Sequence, residues 1–380
     1  MKKIIEGNII LPSQVEYGQI VILDDIINEI NTKKETFSQP DFTVENTKFI
    51  SPGFIDIQIN GGFGKEFKTD EDALDIVSNN LYKFGTTSFC PTITTTDYRR
   101  YSTHSKKLLE NYSYKGQKKL IGFHYEGPML NPEKVGAQNA TILKQPNEIN
   151  FDDYVNEYTK IVTLAPELKG ALEFITKLKQ NKIKIGIGHS DISYESLIEL
   201  FDENNMIIVH LFNAMPPLSS REPSIVGASL YNDNYYTSII VDGIHLHPIT
   251  LNIIWKTKRN KHKLICITDG SAVAGLKEGT YKIGERTITK SIDRATLPNG
   301  TLVGSILTLN VAVRNLIQFS NCSLNEAINT VSLNPATFLG LENEIGQIKI
   351  GNKADLLILN SNYEIEKTFI NGILVFDDAK

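Results

Sequence analysis

Short runs of apolar and β-branched residues recur about every 30 residues, and each is followed by a segment with helical periodicity. This alternation is typical of strand–helix units around a parallel sheet. Eight such units favour closure into a barrel, so we predict an α/β fold of the (β/α)8, TIM-like type. The predicted strands are residues 54–60, 86–93, 120–126, 160–166, 183–189, 206–212, 237–243 and 263–269.

The first connector shows the helical pattern most clearly. Residues 70–84 place their apolar side chains on one face of a helix, and Gly85 follows as a candidate C-cap. The side chains on that face are Ala73, Leu74, Ile76, Val77, Leu81 and Phe84.

Both ends of the chain have a different pattern, with short predicted strands and no long helical stretch. We therefore expect the two ends to pair in space as one small β-domain, a β-sandwich formed by both chain termini. The predicted division is residues 1–50 and 345–380 for this domain and 51–344 for the barrel. A further hairpin is predicted at 280–304. The terminal segments with the pattern of short strands and turns are 2–10, 18–30, 345–359 and 366–376.

Composition excludes several classes of protein. The 39 basic and 44 acidic side chains give a net charge of −5, which provides no basic surface for nucleic acid. The three cysteines, Cys90, Cys266 and Cys322, are far apart, which argues against a disulfide framework or a thiolate metal site. No apolar run approaches the ~20 residues of a membrane span or has the form of a signal peptide. We expect a cytoplasmic protein.

Polar side chains end four of the predicted strands. Glu126, His189, His210 and Asp269 stand at the ends of strands three, five, six and eight. In a barrel of this kind the carboxyl ends of the strands form one face, where the active site lies. We therefore expect the four side chains to meet at that face.

A carboxylate and two imidazoles are a common ligand set for a catalytic divalent metal ion, with one position open for water. Asp269 would then be the general base. Any one of these residues alone could be a buried histidine satisfied by packing or an aspartate that caps a helix. Four such residues at the ends of four predicted strands favour a metal site. Zinc is the expected ion, and iron, manganese or cobalt would accept the same ligands.

Longer motifs occur in a fixed order along the chain. EGP, HLFNAM with a following REP, and DGIH are hard to obtain together outside one family. The chain thereby resembles the N-acetylglucosamine-6-phosphate deacetylases of the amidohydrolase superfamily, and the likeness covers nearly its whole length. It is carried by PGFIDIQINGG (52–62), FHYEGPMLNPEKVGAQ (123–138), LAPE (164–167), IGHSD (187–191), HLFNAMPPLSSREPSIVGA (210–228), VDGIHLHP (241–248), ITDG (267–270) and LVGSILTLN (302–310).

The resemblance implies the barrel, the terminal β-domain, a homodimer, and removal of the acetyl group from N-acetylglucosamine 6-phosphate in amino-sugar catabolism. It implies the same metal ligands and the same general base as the strand ends do. It further implies that the sugar phosphate is held by Asn213, Ala214 and Arg221, with the arginine supplied by the neighbouring subunit. His245 is expected to contact the substrate, whereas His247 is expected only to border a helix start.

Three departures from wider amidohydrolase patterns bear on the metal and the substrate. Gln58 and Asn60 stand where many members carry a His-x-His pair, and neutral amides are poor ligands for a catalytic transition metal. Strand four ends in Ala165-Pro166-Glu167, with no lysine to bridge two ions, so one ion per subunit is expected. Gln138 stands where other members place a substrate-contacting histidine, and it is expected to contact the substrate as a neutral group.

Two alternatives remain open at this point. One is an amidohydrolase for a different substrate, such as an N-acetylated amino acid or a cyclic amide. The other is a non-catalytic scaffold that has kept the fold and works through assembly. Arg221 and the loop that carries it favour the phosphosugar. Retention of all four strand-end residues argues against the scaffold, which metal content would distinguish.

Overall fold

The computed structural model describes residues 2–113 and 119–379. The chain opens with strands that form a sheet before the barrel begins. The first two pair antiparallel, from Lys2 opposite Leu23 to Ile10 opposite Val15. The fifth lies parallel to the first. These strands are β1 (Lys2–Ile10), β2 (Val15–Leu23), β3 (Ile26–Asn31), β4 (Phe42–Thr43) and β5 (Phe49–Pro52).

Eight parallel strands follow and wrap into a nearly closed barrel, as the sequence predicted. A bridge between Ile59 and Gly270 links the first strand to the segment after the last, and the amides of Asn60 and Gly61 each donate to Gly270 O at 3.0 Å. The strands, in barrel order, are β6 (Phe54–Ile59), β9 (Thr86–Ile93), β11 (Phe123–Glu126), β12 (Thr159–Leu164), β13 (Lys184–Ile187), β14 (Met206–Ile208), β15 (Tyr236–Ile239) and β16 (Leu264–Cys266).

Three short strands accompany the early barrel strands. A two-residue ladder directly after β6 forms a tight hairpin, and a two-residue strand pairs with β9. They are β7 (Gly61–Gly62), β8 (Lys65–Glu66) and β10 (Lys119–Leu120).

The helices lie between barrel strands or after the last one, and they bury one face each. In the helix that follows β12, the buried side chains are Ala171, Phe174, Ile175 and Leu178, the spacing of a single helical face. The helices are α1 (Ala73–Leu81), α2 (Tyr98–Glu110), α3 (Phe151–Tyr154), α4 (Ala171–Gln180), α5 (Tyr194–Leu200), α6 (Ser224–Tyr231), α7 (Pro248–Thr257), α8 (Leu309–Ser320), α9 (Leu324–Val331) and α10 (Leu333–Leu339).

Burial on both faces explains why the barrel strands are apolar runs without alternation. All eight residues of β9 are buried, as are all six of β6. The side chains of Cys90, Cys266 and Cys322 are buried free thiols.

The predicted helix at 70–84 is observed as α1 followed by a 3-10 turn, which Gly85 ends with a φ of +81°.

The chain ends by returning to the first sheet. Strands β20 (Leu356–Leu359), β21 (Ile365–Ile370) and β22 (Ile373–Asp377) extend it through antiparallel pairing of β20 with β5. The strand order is β22-β21-β20-β5-β1-β2-β3, so both termini build one mostly antiparallel sheet. Its apolar cluster includes Ile5, Ile9, Ile20, Ile50, Leu356 and Ile358.

The terminal segments are short strands joined by turns, as predicted. The run 18–30 is a hairpin, in which Asp24 turns the backbone with a φ of +57° between β2 and β3. In 345–359 only the last four residues are a strand. The predicted 280–304 hairpin is present as a three-stranded sheet of β17 (Gly279–Ile283), β18 (Arg286–Lys290) and β19 (Ala295–Thr296).

This three-stranded sheet positions side chains at the carboxyl face of the barrel. Its apolar cluster, with Ile283, Ile288 and Val303 among its members, packs against Ala137 of the loop after β11. Within the described residues, no helix is both long and apolar enough to cross a membrane.

Candidate metal and active site

The four strand-end side chains do meet at one face. Glu126 is the last residue of β11, whereas the other three lie two or three residues beyond β13, β14 and β16. His189, His210 and Asp269 have φ values of 50°, 36° and 47°, a left-handed conformation that is uncommon for residues other than glycine. The backbone therefore turns sharply where each of these side chains is presented.

Glu126 and the two histidines form a compact ligand cluster. Nε2 of His210 lies 3.2 Å and Nε2 of His189 lies 3.4 Å from the same oxygen, Glu126 Oε1. One ligand atom from each residue falls within 4.8 Å of the others, and all three residues are buried. Two imidazole nitrogens and a carboxylate aimed at one point are what a catalytic divalent ion requires, so the residues fit such an ion.

Neighbouring groups set the protonation of the ligand side chains Glu126 and His189. Burial alone would raise the pKa of Glu126, but hydrogen bonds from His189 and His210 outweigh it and hold that pKa well below its usual range. Nδ1 of His189 donates to Lys134 O at 2.8 Å, so Nε2, which faces Glu126, is the nitrogen that can lose its proton and bind a metal. Nδ1 of His210 is buried and has no such partner among the described residues.

Asp269 is held beside the cluster by two amides. Asn60 Nδ2 donates to Asp269 Oδ1 at 2.8 Å, and Gln58 Nε2 lies 3.3 Å from the same oxygen. Burial, followed by the negative charge of Glu126, raises the pKa of Asp269. A carboxylate with a raised pKa is a better proton acceptor than an ordinary aspartate.

Gln58 and Asn60, which stand where many amidohydrolases carry a His-x-His pair, have a hydrogen-bonding role in this chain. Gln58 Nε2 donates to Glu126 Oε1 at 2.9 Å, so it bridges the carboxylates of Glu126 and Asp269. Gln138 Nε2 donates to Glu126 Oε2 at 2.8 Å, and its Oε1 accepts from the amide of Thr95 at 2.8 Å. The structure thus places both glutamines as hydrogen-bond donors to the central carboxylate.

A cavity of about 260 Å³ opens over the cluster. It is lined by six predicted site residues besides His189 and His210, namely Glu126, Gln138, Asn213, Ala214, His245 and Asp269. Arg221 is not among the lining residues and is exposed on the loop before α6. The predicted phosphate arginine is therefore separate from the rest of the site within this chain.

His245 is oriented by a local partner. Its Nδ1 lies 2.6 Å from Asp242 Oδ2, while Asp242 Oδ1 accepts from the amides of Ile244 and His245 at 2.8 Å each. The ring is thus fixed through Nδ1, which leaves Nε2 to make any further contact. As predicted, His247 borders a helix, since it is the N-cap residue of α7 and its Nδ1 accepts from the Ile249 amide.

Sequence reasoning missed part of the cavity wall. Glu66 and Lys68, at and after β8, line the cavity, as does Arg286 at the start of β18. Residues 301–304 line it as well. Glu66, Lys68 and Arg286 belong to no motif and to no strand-end position. Residues 302–304 fall within the LVGSILTLN motif, but no role in the site was predicted for them.

Comparisons with known proteins agree with the geometry. Residues 49–375 match the model of the amidohydrolase family. The N-acetylglucosamine-6-phosphate deacetylase of Bacillus subtilis (strain 168) is 35% identical over 373 residues, 95% of this chain and 93% of that protein. The Mus musculus protein of the same name is 33% identical, over 87% of this chain and 84% of its own. The crystal structure of a Thermotoga maritima protein, again of that name, superposes with a TM-score of 0.88 at 29% identity, covering 98% of this chain and 99% of that one.

Proposed function

The chain belongs to the amidohydrolase family, and we propose that it hydrolyses the acetamide of N-acetylglucosamine 6-phosphate to glucosamine 6-phosphate and acetate. One observation carries the proposal: Glu126, His189 and His210 converge beside Asp269 inside a cavity. The identity and coverage of the relatives support the choice of substrate.

The metal would be held by Glu126, His189 and His210. When bound, a divalent ion supplies Lewis acidity toward the amide carbonyl and makes a water molecule more acidic. We propose one ion per subunit, because Gln58 and Asn60 provide amides that already donate to Glu126 and Asp269. Zinc suits these ligands, as do Fe²⁺, Mn²⁺ and Co²⁺.

Asp269 would carry the proton. Its Oδ1 accepts from Asn60 and Gln58, whereas no hydrogen bond to its Oδ2 occurs within residues 2–113 and 119–379. Oδ2 is therefore the atom proposed to take the proton of the attacking water. The same oxygen would return that proton to the departing amine, so that the sugar leaves as a neutral amine.

Substrate binding is assigned to the remaining predicted residues. His245, fixed by Asp242, would contact the acetamide oxygen or the phosphate through Nε2. Asn213 and Ala214 line the cavity on the loop after β14, a position suited to the phosphate. Gln138 lines the cavity too, and we propose that it supports the substrate site chiefly by orienting Glu126.

We propose a homodimer in which Arg221 reaches the phosphate of the neighbouring subunit's substrate. A guanidinium can grip phosphate oxygens in a bidentate manner, which fits such a role. The exposure of Arg221 and its absence from its own cavity support this arrangement. Large apolar side chains are also exposed on or near α6 and α7, as a subunit interface requires. They are Leu218, Tyr231, Ile249 and Ile253.

The free buried thiols suit a reducing compartment, and we propose the cytoplasm. The test of the proposed reaction is acetate release by the purified protein from N-acetylglucosamine 6-phosphate and from N-acetylglucosamine, with metal content measured on the same sample. We expect turnover that depends on the metal and strongly favours the phosphorylated sugar. An active preparation that prefers an N-acetylated amino acid would refute the assignment.

A further inference from the structure

The cavity contains two cationic side chains that the proposed reaction does not use. Lys68 and Arg286 are the only lysine and arginine among the described residues that line it. Lys68 follows the β7–β8 hairpin that comes after the first barrel strand, and Arg286 begins β18, which comes after the eighth. The first and eighth strands are neighbours, and the charge of Arg286 acts on the ammonium group of Lys68, so both cations stand on one side of the mouth.

The charges of the two residues are satisfied differently. Arg286 Nη2 donates to Oε1 of Glu66, whose side chain is 6% exposed. Lys68 makes no hydrogen bond or ion pair with any residue that the structure describes, and burial lowers its pKa. The nearby carboxylate of Glu66 is paired with Arg286, so the ammonium group of Lys68 has no anion in direct contact among the described residues, which is unfavourable for a partly buried charge.

Charge balance indicates which anion would fit. Lys68 and Arg286 carry two positive charges and Glu66 carries one negative charge, which leaves +1 at this side of the mouth. A small carboxylate with charge −1 matches this better than a phosphate dianion does. The proposed reaction produces one such ion, acetate, inside the same cavity.

We propose that Lys68, assisted by Arg286, forms a small-carboxylate subsite that receives the product acetate as it leaves the metal centre. The ammonium would donate a charge-assisted hydrogen bond to one acetate oxygen. This inference rests on the proposed deacetylation for the identity of its ligand. It concerns product release and assigns no role in bond cleavage to either residue.

Product inhibition tests the subsite. Acetate is added as an inhibitor of the wild-type enzyme, with acetamide as a neutral probe of the same shape and glucosamine 6-phosphate as the other product. In Lys68→Met, the ratio of the inhibition constant of acetate to that of glucosamine 6-phosphate should rise about tenfold, the effect of one charge-assisted bond. Acetamide should inhibit both proteins weakly and equally.

A matched control lies three residues away. Lys65 is paired with Asp72 at 2.8 Å and does not line the cavity, so Lys65→Met should retain the wild-type ratio. Glu66→Gln should act in the opposite direction, because it removes the negative charge beside Arg286 and raises the local charge to +2. Tighter acetate inhibition in that variant is an outcome that damage to the fold would not produce.

Equal inhibition ratios in the wild type and Lys68→Met would overturn the proposal, as would equal inhibition by acetate and acetamide. If the wild type releases no acetate from the sugar phosphate, the proposed function fails. The subsite is then tested by calorimetric titration of acetate into the wild type and Lys68→Met. Weaker binding to the variant supports the subsite without the reaction, and equal binding refutes it.

Discussion

Gln138 Nε2 lies 2.8 Å from Glu126 Oε2, on the opposite side of the carboxylate from the oxygen that faces His189 and His210. The amide also accepts from the Thr95 backbone, so it is anchored at both ends. A hydrogen bond of this kind fixes the orientation of a metal ligand.

Replacement of Gln138 by leucine should therefore weaken metal binding. Loss of a partner to a ligand carboxylate reduces metal affinity by about 10–100-fold. Competition with a chelator of known affinity would measure the dissociation constant. Gln138→Glu would be a second variant, because it keeps the shape but places a like charge beside Glu126. A Gln138→Leu protein that binds metal as tightly as wild type, with only KM altered, would mean that this glutamine acts on the substrate alone.

The number of bound ions is a separate prediction. We expect one divalent ion per chain, lost in His189→Ala together with activity. Elemental analysis of the purified, active wild type checks the number. Two ions per chain would contradict the expectation and would require a second set of ligands beside Gln58 and Asn60.

Asp269→Asn should abolish turnover while leaving the metal bound. Asparagine has nearly the shape of aspartate but cannot accept the water proton, and loss of general acid–base catalysis costs about 10²–10⁴ in rate. Acetate release, bound metal and thermal midpoint should be measured on one preparation. A variant that keeps its metal and more than about a tenth of wild-type kcat would remove Asp269 from the mechanism.

Arg221→Ala should impair use of the phosphorylated sugar far more than use of the unphosphorylated one. The substitution removes a charge-assisted contact of about 1.5–3 kcal/mol. The comparison is between kcat/KM values for N-acetylglucosamine 6-phosphate and N-acetylglucosamine. Equal losses on the two substrates would leave Arg221 without a phosphate role.

Subunit mixing tests whether Arg221 acts across the interface. Inactive His189→Ala and impaired Arg221→Ala chains, once exchanged into hybrid dimers, should recover part of the activity because one intact site can assemble. Exchange is verified independently with differently tagged chains. No recovery after complete exchange would place Arg221 in its own subunit's site or outside both.

Gly85 and Gly340 form a matched pair for a stability measurement. Both have left-handed φ values, +81° and +74°, but an added Cβ at Gly85 would lie 2.7 Å from Ile365 Cδ1, whereas at Gly340 it meets nothing within 4 Å. Gly340→Ala should cost about 1–2 kcal/mol for backbone strain alone. Gly85→Ala should cost about 1–3 kcal/mol more, from overpacking. Thermal midpoints that are equal in the two variants would contradict this.

The barrel was predictable because each of its strands is buried on both faces and so forms a continuous apolar run. Residues 86–93 were predicted as a strand and are one, Thr86–Ile93. The predicted strands 183–189 and 206–212 end earlier in the structure, at Ile187 and Ile208, because His189 and His210 adopt left-handed φ values. Hydrophobic periodicity contains no information about such turns.

The hydrogen-bond partners and several lining residues of the site could not be predicted from the sequence. Gln58 and Asn60 were interpreted as ligands that had been lost, yet they donate to carboxylates 68 and 209 positions away in the chain. Such partners depend on barrel closure, which a local pattern does not describe. Lys68 and Arg286 come together for the same reason, through the proximity of the first and eighth strands.

The sheet shared by both termini has a consequence for how the protein is made on the ribosome. β5 pairs with β20, whose first residue is synthesised about 300 positions later. At roughly 5–20 residues per second, that partner arrives only after tens of seconds. During this interval the edge of β5 and the apolar side chains of Ile5, Ile9 and Ile50 lack the cover that Leu356 and Ile358 later provide. The sheet therefore cannot be completed before the final strands have been synthesised, however early the first five strands emerge.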